Sequence, residues 1–459
     1  MRPYSGFLQR TIPFFLLIFI IQSACKKEGK NPNYPSGSNE YINDWVMDSM
    51  KVYYYWNSIL PSNPNLNQQP LQFFSSIKHS GDRFSRLTNP AIRESYYPSL
   101  VRNFGFDLAV FRESSGVVKT FVVLVVPGTK AQAIGLQRGD VLKTINETSP
   151  SGNNIEGLIE SAIAQRSISL DVENKGNITL GAELISENSV YLHKTFDSNA
   201  KKVAYLFYNS FEGRSKYDLQ EAFADFKSKN ATELIIDVRY NPGGDIGVCA
   251  ALSAAIANVN PSDVFVEYRG NANAGIHRET FGKTISLISP GYSLTFDELS
   301  AMRLQLNRVF ILTGPHTGSA AEFLIKGLRP WISVIQIGGT TLGKDMASFT
   351  IKDNNPEKYN NWSIEPMIFK LYNSRGEGDY NLGLAPDIAT DEFSETIVPF
   401  GRSDDPLIKS ALARINGSSN SDDMATKPAV RRLLYNSRQS IDKNSADVRI
   451  DKAVLRNIN

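Results

Sequence analysis

Leu234-Ile235-Ile236-Asp237-Val238-Arg239-Tyr240-Asn241-Pro242-Gly243-Gly244 is the stretch from which the fold can be read. Its apolar start has strand length and reads as a buried strand. Asn241-Pro242-Gly243-Gly244 then breaks it, and Ile246 to Ala257 has helical character. The same alternation continues on both sides. Val203 to Tyr208 predicts a strand and Tyr217 to Lys227 a helix; Arg308 to Leu312, Ala320 to Leu328 and Trp331 to Ile337 predict strand, helix and strand. Alternation of this kind argues for an α/β domain, here residues 183–415.

The whole chain has 459 residues, enough for about three domains. Its 49 Lys plus Arg against 47 Asp plus Glu leave a formal charge of +2, too little basicity for nucleic acid as the main partner. A 41% hydrophobic content with 10% aromatics excludes both a disordered chain and a multi-span membrane protein. Two cysteines and four histidines argue against a structural zinc site, and no other cofactor is implied.

Residues 1–24 read as a secretory signal. Arg2 and Arg10 precede an apolar run, Ile12 to Ile21, which is too short to span a membrane. Ser23-Ala24-Cys25 resembles a lipobox, which implies acylation of Cys25 and a membrane contact made only through that lipid anchor. An ordinary signal peptide with an incidental cysteine is the alternative. Residues 25–39 form a polar tether. With Cys25 lipidated, Cys249 has no intramolecular partner and reads as a buried helix residue. The compartment expected is the cell envelope.

Residues 40–98 predict a small helical domain. Ile42, Trp45, Val46, Met50, Tyr53 and Tyr54 recur at helical spacing, and a second helix falls around Leu71 to Ile77. Residues 99–182 are β-rich. Phe104 to Val110 and Phe121 to Val126 read as strands, followed by Ala131-Gln132-Ala133-Ile134-Gly135-Leu136 and Gly139-Asp140-Val141-Leu142. That order resembles a PDZ domain, in which an exposed strand edge captures an extended peptide and the backbone near Phe104, Gly105 and Phe106 holds a terminal carboxylate. Residues 416–459 form a polar tail with one short helix at most and no assigned chemistry.

Three segments of the α/β region could carry chemistry, and each also has a plain structural reading. The Pro242-Gly243-Gly244 turn is punctuation, yet its glycines let backbone N–H groups approach a ligand closely. Ser319-Ala320-Ala321-Glu322 spells a capping box, while a serine at a helix N-terminus is also well placed as a nucleophile beside the Ala320 amide. Gly338 to Asp345 has P-loop spacing, but Asp345 stands where Mg²⁺ binding needs a hydroxyl. Lys344 within it, between apolar strands and glycines, suits a different role. Burial lowers a lysine's pKa and lets the neutral amine serve as a general base for a serine, with no histidine required.

In combination these segments resemble the tail-specific, or C-terminal processing, serine peptidases, in the branch found among envelope lipoproteins of Bacteroidetes-like bacteria. The matching residues are Asp237 to Gly244, Thr317 to Glu322, Thr341 to Lys344 and Gly383-Leu384-Ala385-Pro386-Asp387-Ile388. The resemblance implies a crotonase/ClpP-like α/β core, Ser319 as nucleophile, Lys344 as general base, and an oxyanion hole from the N–H groups of Gly243 and Ala320. Polypeptides recognised through their C-termini are the implied substrates. Ser348 stands where many members carry a glutamine that orients the lysine, and Asp345 stands where glycine is common. These departures leave two alternatives open, a peptidase and a catalytically weak peptide-binding scaffold.

Overall fold

The computed structural model describes residues 34–417, apart from residues 97, 289–290, 293 and 356–359, together with residues 431–437 and 448–449. Cys25, the signal sequence and most of the tether lie outside the described residues. Among the described residues no helix is long and apolar enough to cross a membrane.

Helix α1 (Asn39–Tyr53) starts at Ser38, whose hydroxyl accepts the Tyr41 N–H, and α2 (Pro70–Ile77) begins with proline at its first position. A short strand, β1 (Arg86–Thr88), follows. The buried faces of both helices, with Ile42, Val46, Met50, Phe73 and Phe74, share one apolar core with residues of the α/β region such as Val248, Phe349 and Trp362. The N-terminal helices therefore form a layer on the α/β core rather than a separate body.

Helix α3 (Leu100–Phe104) ends at Gly105, which adopts φ +78°. The sequence reading began a strand at Phe104; the left-handed glycine instead caps a helix there and delays the strand by two residues. Next come β2 (Phe106–Glu113), β3 (Val118–Val125), α4 (Lys130–Ala133), β4 (Val141–Ile145), α5 (Ile155–Gln165), β5 (Ser167–Val172) and β6 (Gly176–Gly181). The strands pair antiparallel in chain order around a core that includes Phe106, Leu108, Val110, Ile145, Ile155 and Leu170.

The α/β region begins with the hairpin β7 (Val190–Ser198) and β8 (Lys201–Tyr208), then α6 (Lys216–Ser228), β9 (Glu233–Asp237), the two-residue β10 (Gly244–Asp245) and α7 (Ile246–Ile256). After β11 (Val264–Arg269), β12 (Ile276–Thr280) and α8 (Phe281–Ile285) come β13 (Arg308–Thr313), α9 (Ala320–Leu328) and β14 (Ser333–Gly338). The short strands β15 (Met346–Ala347), β16 (Ile351–Lys352), β17 (Ser363–Glu365), β18 (Phe369–Tyr372) and β19 (Ile388–Ala389) lead to α10 (Pro406–Ile415).

The main sheet has the order β19-β14-β13-β9-β8-β7 and is parallel except for β7. Alternate residues feed opposite cores. Ala204, Leu206, Leu234, Ile236, Val309 and Ile311 pack with the α6, α7 and α9 side, and Val203, Tyr205, Ile235, Phe310 and Leu312 with α10. Covering both faces is why these strands read as unbroken apolar runs.

The tail departs from the sequence reading. Residues 431–436 form strand β20 (Arg431–Asn436), antiparallel to β2, where no strand was expected, and β21 (Val448–Arg449) pairs in parallel with β10. The six-residue β20 is too short to carry its own signal; its conformation follows from the edge it joins.

Candidate active site

The parallel register sets the site. Leu312 lies opposite both Asp237 and Ile337, and Thr313 opposite Gly338, so β9, β13 and β14 end level. The loops after them, carrying Gly243, Ser319 and Lys344, leave from one edge of the sheet.

Two of these loops touch directly. Gly243 has φ +113°, and a Cβ built on it would lie 2.6 Å from Ser319 Cβ and 3.0 Å from the Ala320 nitrogen. Only glycine fits there, on both conformational and steric grounds. Gly318 N–H donates to the Asn241 carbonyl (2.9 Å), and Thr317 Oγ1 donates to the Val238 carbonyl (2.8 Å). The third loop is joined through Leu342, whose N–H reaches the Thr317 carbonyl (2.9 Å).

Glu322 fastens the assembly. Its Oε2 accepts the N–H groups of Ser319 (2.8 Å) and Lys344 (2.8 Å), and its Oε1 accepts Gly343 N–H (2.7 Å) and Thr341 Oγ1 (2.5 Å). Burial pushes its carboxyl up to about 7, and these four donors pull the other way. The residue that reads as one half of a capping box is thus also the clamp between the serine loop and the lysine loop.

Ser319 is fully buried at the N-cap of α9 with φ +58° and ψ −118°, an unusual conformation for a residue with a side chain. Glu322 closes back onto its N–H, but the serine half of the box is loose. Its hydroxyl has no hydrogen-bond partner among the described residues. The neighbouring Ala320 N–H opens the helix, where the first amides have no helical acceptor.

Lys344 is 3% exposed, with its ammonium 5.7 Å from the centre of the Phe84 ring. Asp345 directs its carboxylate to Lys370, 3.6 Å away. Ser348 is buried just beyond β15. The N-terminal layer also contributes. Arg83 donates to the carbonyls of Leu342 (2.9 Å) and Asn381 (3.1 Å), and Asp82 accepts the N–H groups of Phe84 and Ser85. Residues 82–84 lie within the predicted helical domain and join this site only through tertiary contact.

Gly243 N–H is not open. It donates to Asn241 Oδ1 (2.8 Å), so one of the two amides expected at an oxyanion hole is held by a side chain. Phe104 and Phe106 are buried in the β-rich core, and Gly105 N–H bonds the carbonyls of Leu100 and Val101 as a helix cap. That amide is therefore committed within the fold rather than turned to a ligand. Cys249 is buried in α7 with its thiol toward the Ala320 carbonyl (3.3 Å), and burial pushes its pKa up, as suits an inert packing residue. His316 stacks on Tyr240 and bonds Asn436 (3.0 Å). No group of His, Cys, Asp and Glu able to hold a metal occurs among the described residues.

The turn before Gly243 is itself anchored. Arg239, fully buried, lies between Asp237 (2.8 Å) and Asp405 (3.0 Å), the latter being the N-cap of α10. Burial pushes Asp405 upward, but the Arg239 charge outweighs it and leaves the carboxyl below its usual range.

A family model for Peptidase family S41 matches residues 202–390, which hold all three loops, and a second, for the Peptidase S41 N-terminal domain, matches residues 41–86. The chain belongs to peptidase family S41. The carboxy-terminal processing protease CtpA of Bacillus subtilis is 22% identical over 323 residues, covering 68% of this chain and 61% of that protein. The chloroplastic carboxyl-terminal-processing peptidase 3 of Arabidopsis thaliana is 24% identical, covering 58% and 50%. The chain thus spans between half and two thirds of these relatives' lengths. A putative S41 protease from Bacteroides fragilis superposes with a TM-score of 0.67 at 22% identity, covering 85% of this chain and all of the other, a likeness of fold.

Proposed function

We propose that this S41 member is a serine endopeptidase with Ser319 as nucleophile and Lys344 as general base. The observation that carries this reading is the Ser319 hydroxyl, buried, unbonded and strained at a helix N-terminus, in a loop tied through Glu322 to the backbone of Lys344. In the proposed cycle the neutral Lys344 amine takes the Ser319 proton as Oγ attacks the peptide carbonyl. Ala320 N–H meets the developing oxyanion, and Gly243 N–H joins it once released from Asn241. Collapse expels the amine with the proton from Lys344, and water then cleaves the acyl-enzyme by the same route in reverse.

The domain at 99–182 is read as PDZ-like and the α/β core as crotonase/ClpP-like, with β2 offering its edge to extended polypeptide. The signal and lipobox residues support anchoring at Cys25 and action on envelope or extracellular proteins, with no cofactor.

Residues 26–459 incubated with an unfolded protein, products read by mass spectrometry, test the activity. Ser319→Ala and Lys344→Ala should each lower the rate by about 10⁴-fold while leaving the fold intact. Cleavage surviving in Ser319→Ala would overturn the nucleophile assignment, and no cleavage by any form would favour the scaffold alternative.

A further inference from the structure

The edge of β2 is already occupied by this chain. Strand β20 runs antiparallel to it, with Ala109 opposite Asn436, Val110 opposite Tyr435 and Phe111 opposite Leu433. Among the described residues β20 is the outermost strand of this sheet and pairs with β2. Leu434 and Tyr435 pack half-buried against the β-rich core, while Arg432 and Leu433 face out. The end of the strand is fixed by polar contacts. Leu108 N–H donates to Ser437 Oγ (3.0 Å), Ser437 N–H donates to the Leu108 carbonyl (3.1 Å), and the Ser437 hydroxyl lies 3.0 Å from Asp107 Oδ1.

We propose that residues 431–437 are a ligand in cis, holding the strand-addition edge of β2 in competition with incoming polypeptide. This rests on the reading of that edge as the substrate-capturing groove. Segment 431–437 follows α10 by way of residues 416–430, rich in Ser, Asn and Asp. A tethered ligand of this kind acts at an effective concentration on the order of millimolar, which a free peptide must overcome.

Occupancy of the edge also touches the catalytic edge of the main sheet. Asn436 Nδ2 lies 3.0 Å from His316 Nε2, three residues before Ser319, and further along the tail β21 pairs with Gly244 and Asp245 beside the glycine turn. The occupant identifies the ligand class. The chain continues past Ser437, so the occupant sits on the edge as an internal segment and not as a chain end. The groove therefore takes an internal, extended segment with two apolar or aromatic residues followed by Asn-Ser-like polar ones.

The test uses the full chain after Cys25 in a Ser319→Ala background, with a fluorescein-labelled peptide copying residues 430–438. Leu434→Asp should tighten peptide binding at least tenfold by releasing the tail, and equal affinity in the two chains overturns the proposal. A second arm needs no change to the tail. In ¹⁵N-labelled protein, saturating unlabelled peptide should strip hydrogen-exchange protection from residues 431–437, and unchanged protection overturns the proposal even if Leu434→Asp misfolds. With Ser319 restored, Leu434→Asp should raise hydrolysis of an unfolded protein several-fold. Tighter binding without that rise would sustain the cis ligand while overturning the groove's role in delivering substrate.

Discussion

Glu322 holds four donors in a fully buried position. Glu322→Gln keeps the shape but turns an NH₂ toward N–H groups, so the variant should lose about 2 kcal/mol of stability and most activity, read by denaturant melts and kcat. Its raised carboxyl pKa, about 7, fixes the sign of a pH effect. A folded pKa above the unfolded one contributes stability that is full below the unfolded value and lost as pH rises through about 7. Activity should run the opposite way, rising through the same window as the carboxylate becomes a full acceptor for the Ser319 and Lys344 amides. A flat pH–rate profile from pH 6 to 8 would contradict this. Gly243→Ala forces a Cβ to within 2.6 Å of Ser319 Cβ at φ +113°, and should lower kcat by about 10²-fold through displacement of Ser319. Glycine, serine and lysine were all legible as residues of interest. The Asn241–Gly243 bond that closes one amide was not, because an Asn side chain reaching two residues onward depends on the turn already being formed.

At the scale of elements, the level ends of β9, β13 and β14 bring the three loops together, and the buried Asp237–Arg239–Asp405 group fixes where one loop departs. Arg239→Ala leaves two carboxylates buried without their cation and should destabilise by about 3–5 kcal/mol, seen as a lower denaturant midpoint. The alternation of strand and helix located these elements to within a residue or two, since both faces of the sheet are covered and the apolar runs are continuous. β20 was missed for the opposite reason. It has one edge, partial burial and no period of its own, and the strand exists because β2 offers N–H and C=O groups to pair.

For the molecule as a whole, Arg138 joins the β-rich domain to the α/β core. It donates to the carbonyls of Val123 (2.6 Å) and Val398 (3.0 Å) and to Glu392 (3.1 Å), with its guanidinium 4.3 Å from the Phe400 ring centre and Tyr240 Oη within 3.2 Å. Arg138→Met should leave each core folded yet loosen the contact between them, giving faster hydrogen exchange at residues 392–400 than in the unaltered chain. Exchange unchanged there would mean that apolar packing through Leu124 and Val126 carries the interface alone.

The sequence by itself determined the α/β class, the positions of Gly243, Ser319 and Lys344, and the family resemblance, because buried strands, glycine turns and helix caps are local signals. Only the tertiary structure decided that Glu322 ties the serine and lysine loops, that Phe84 and Arg83 reach the lysine loop, and that the tail occupies β2. Each of these joins residues distant in the chain, through hydrogen bonds and burial that exist only once the sheet has set its register.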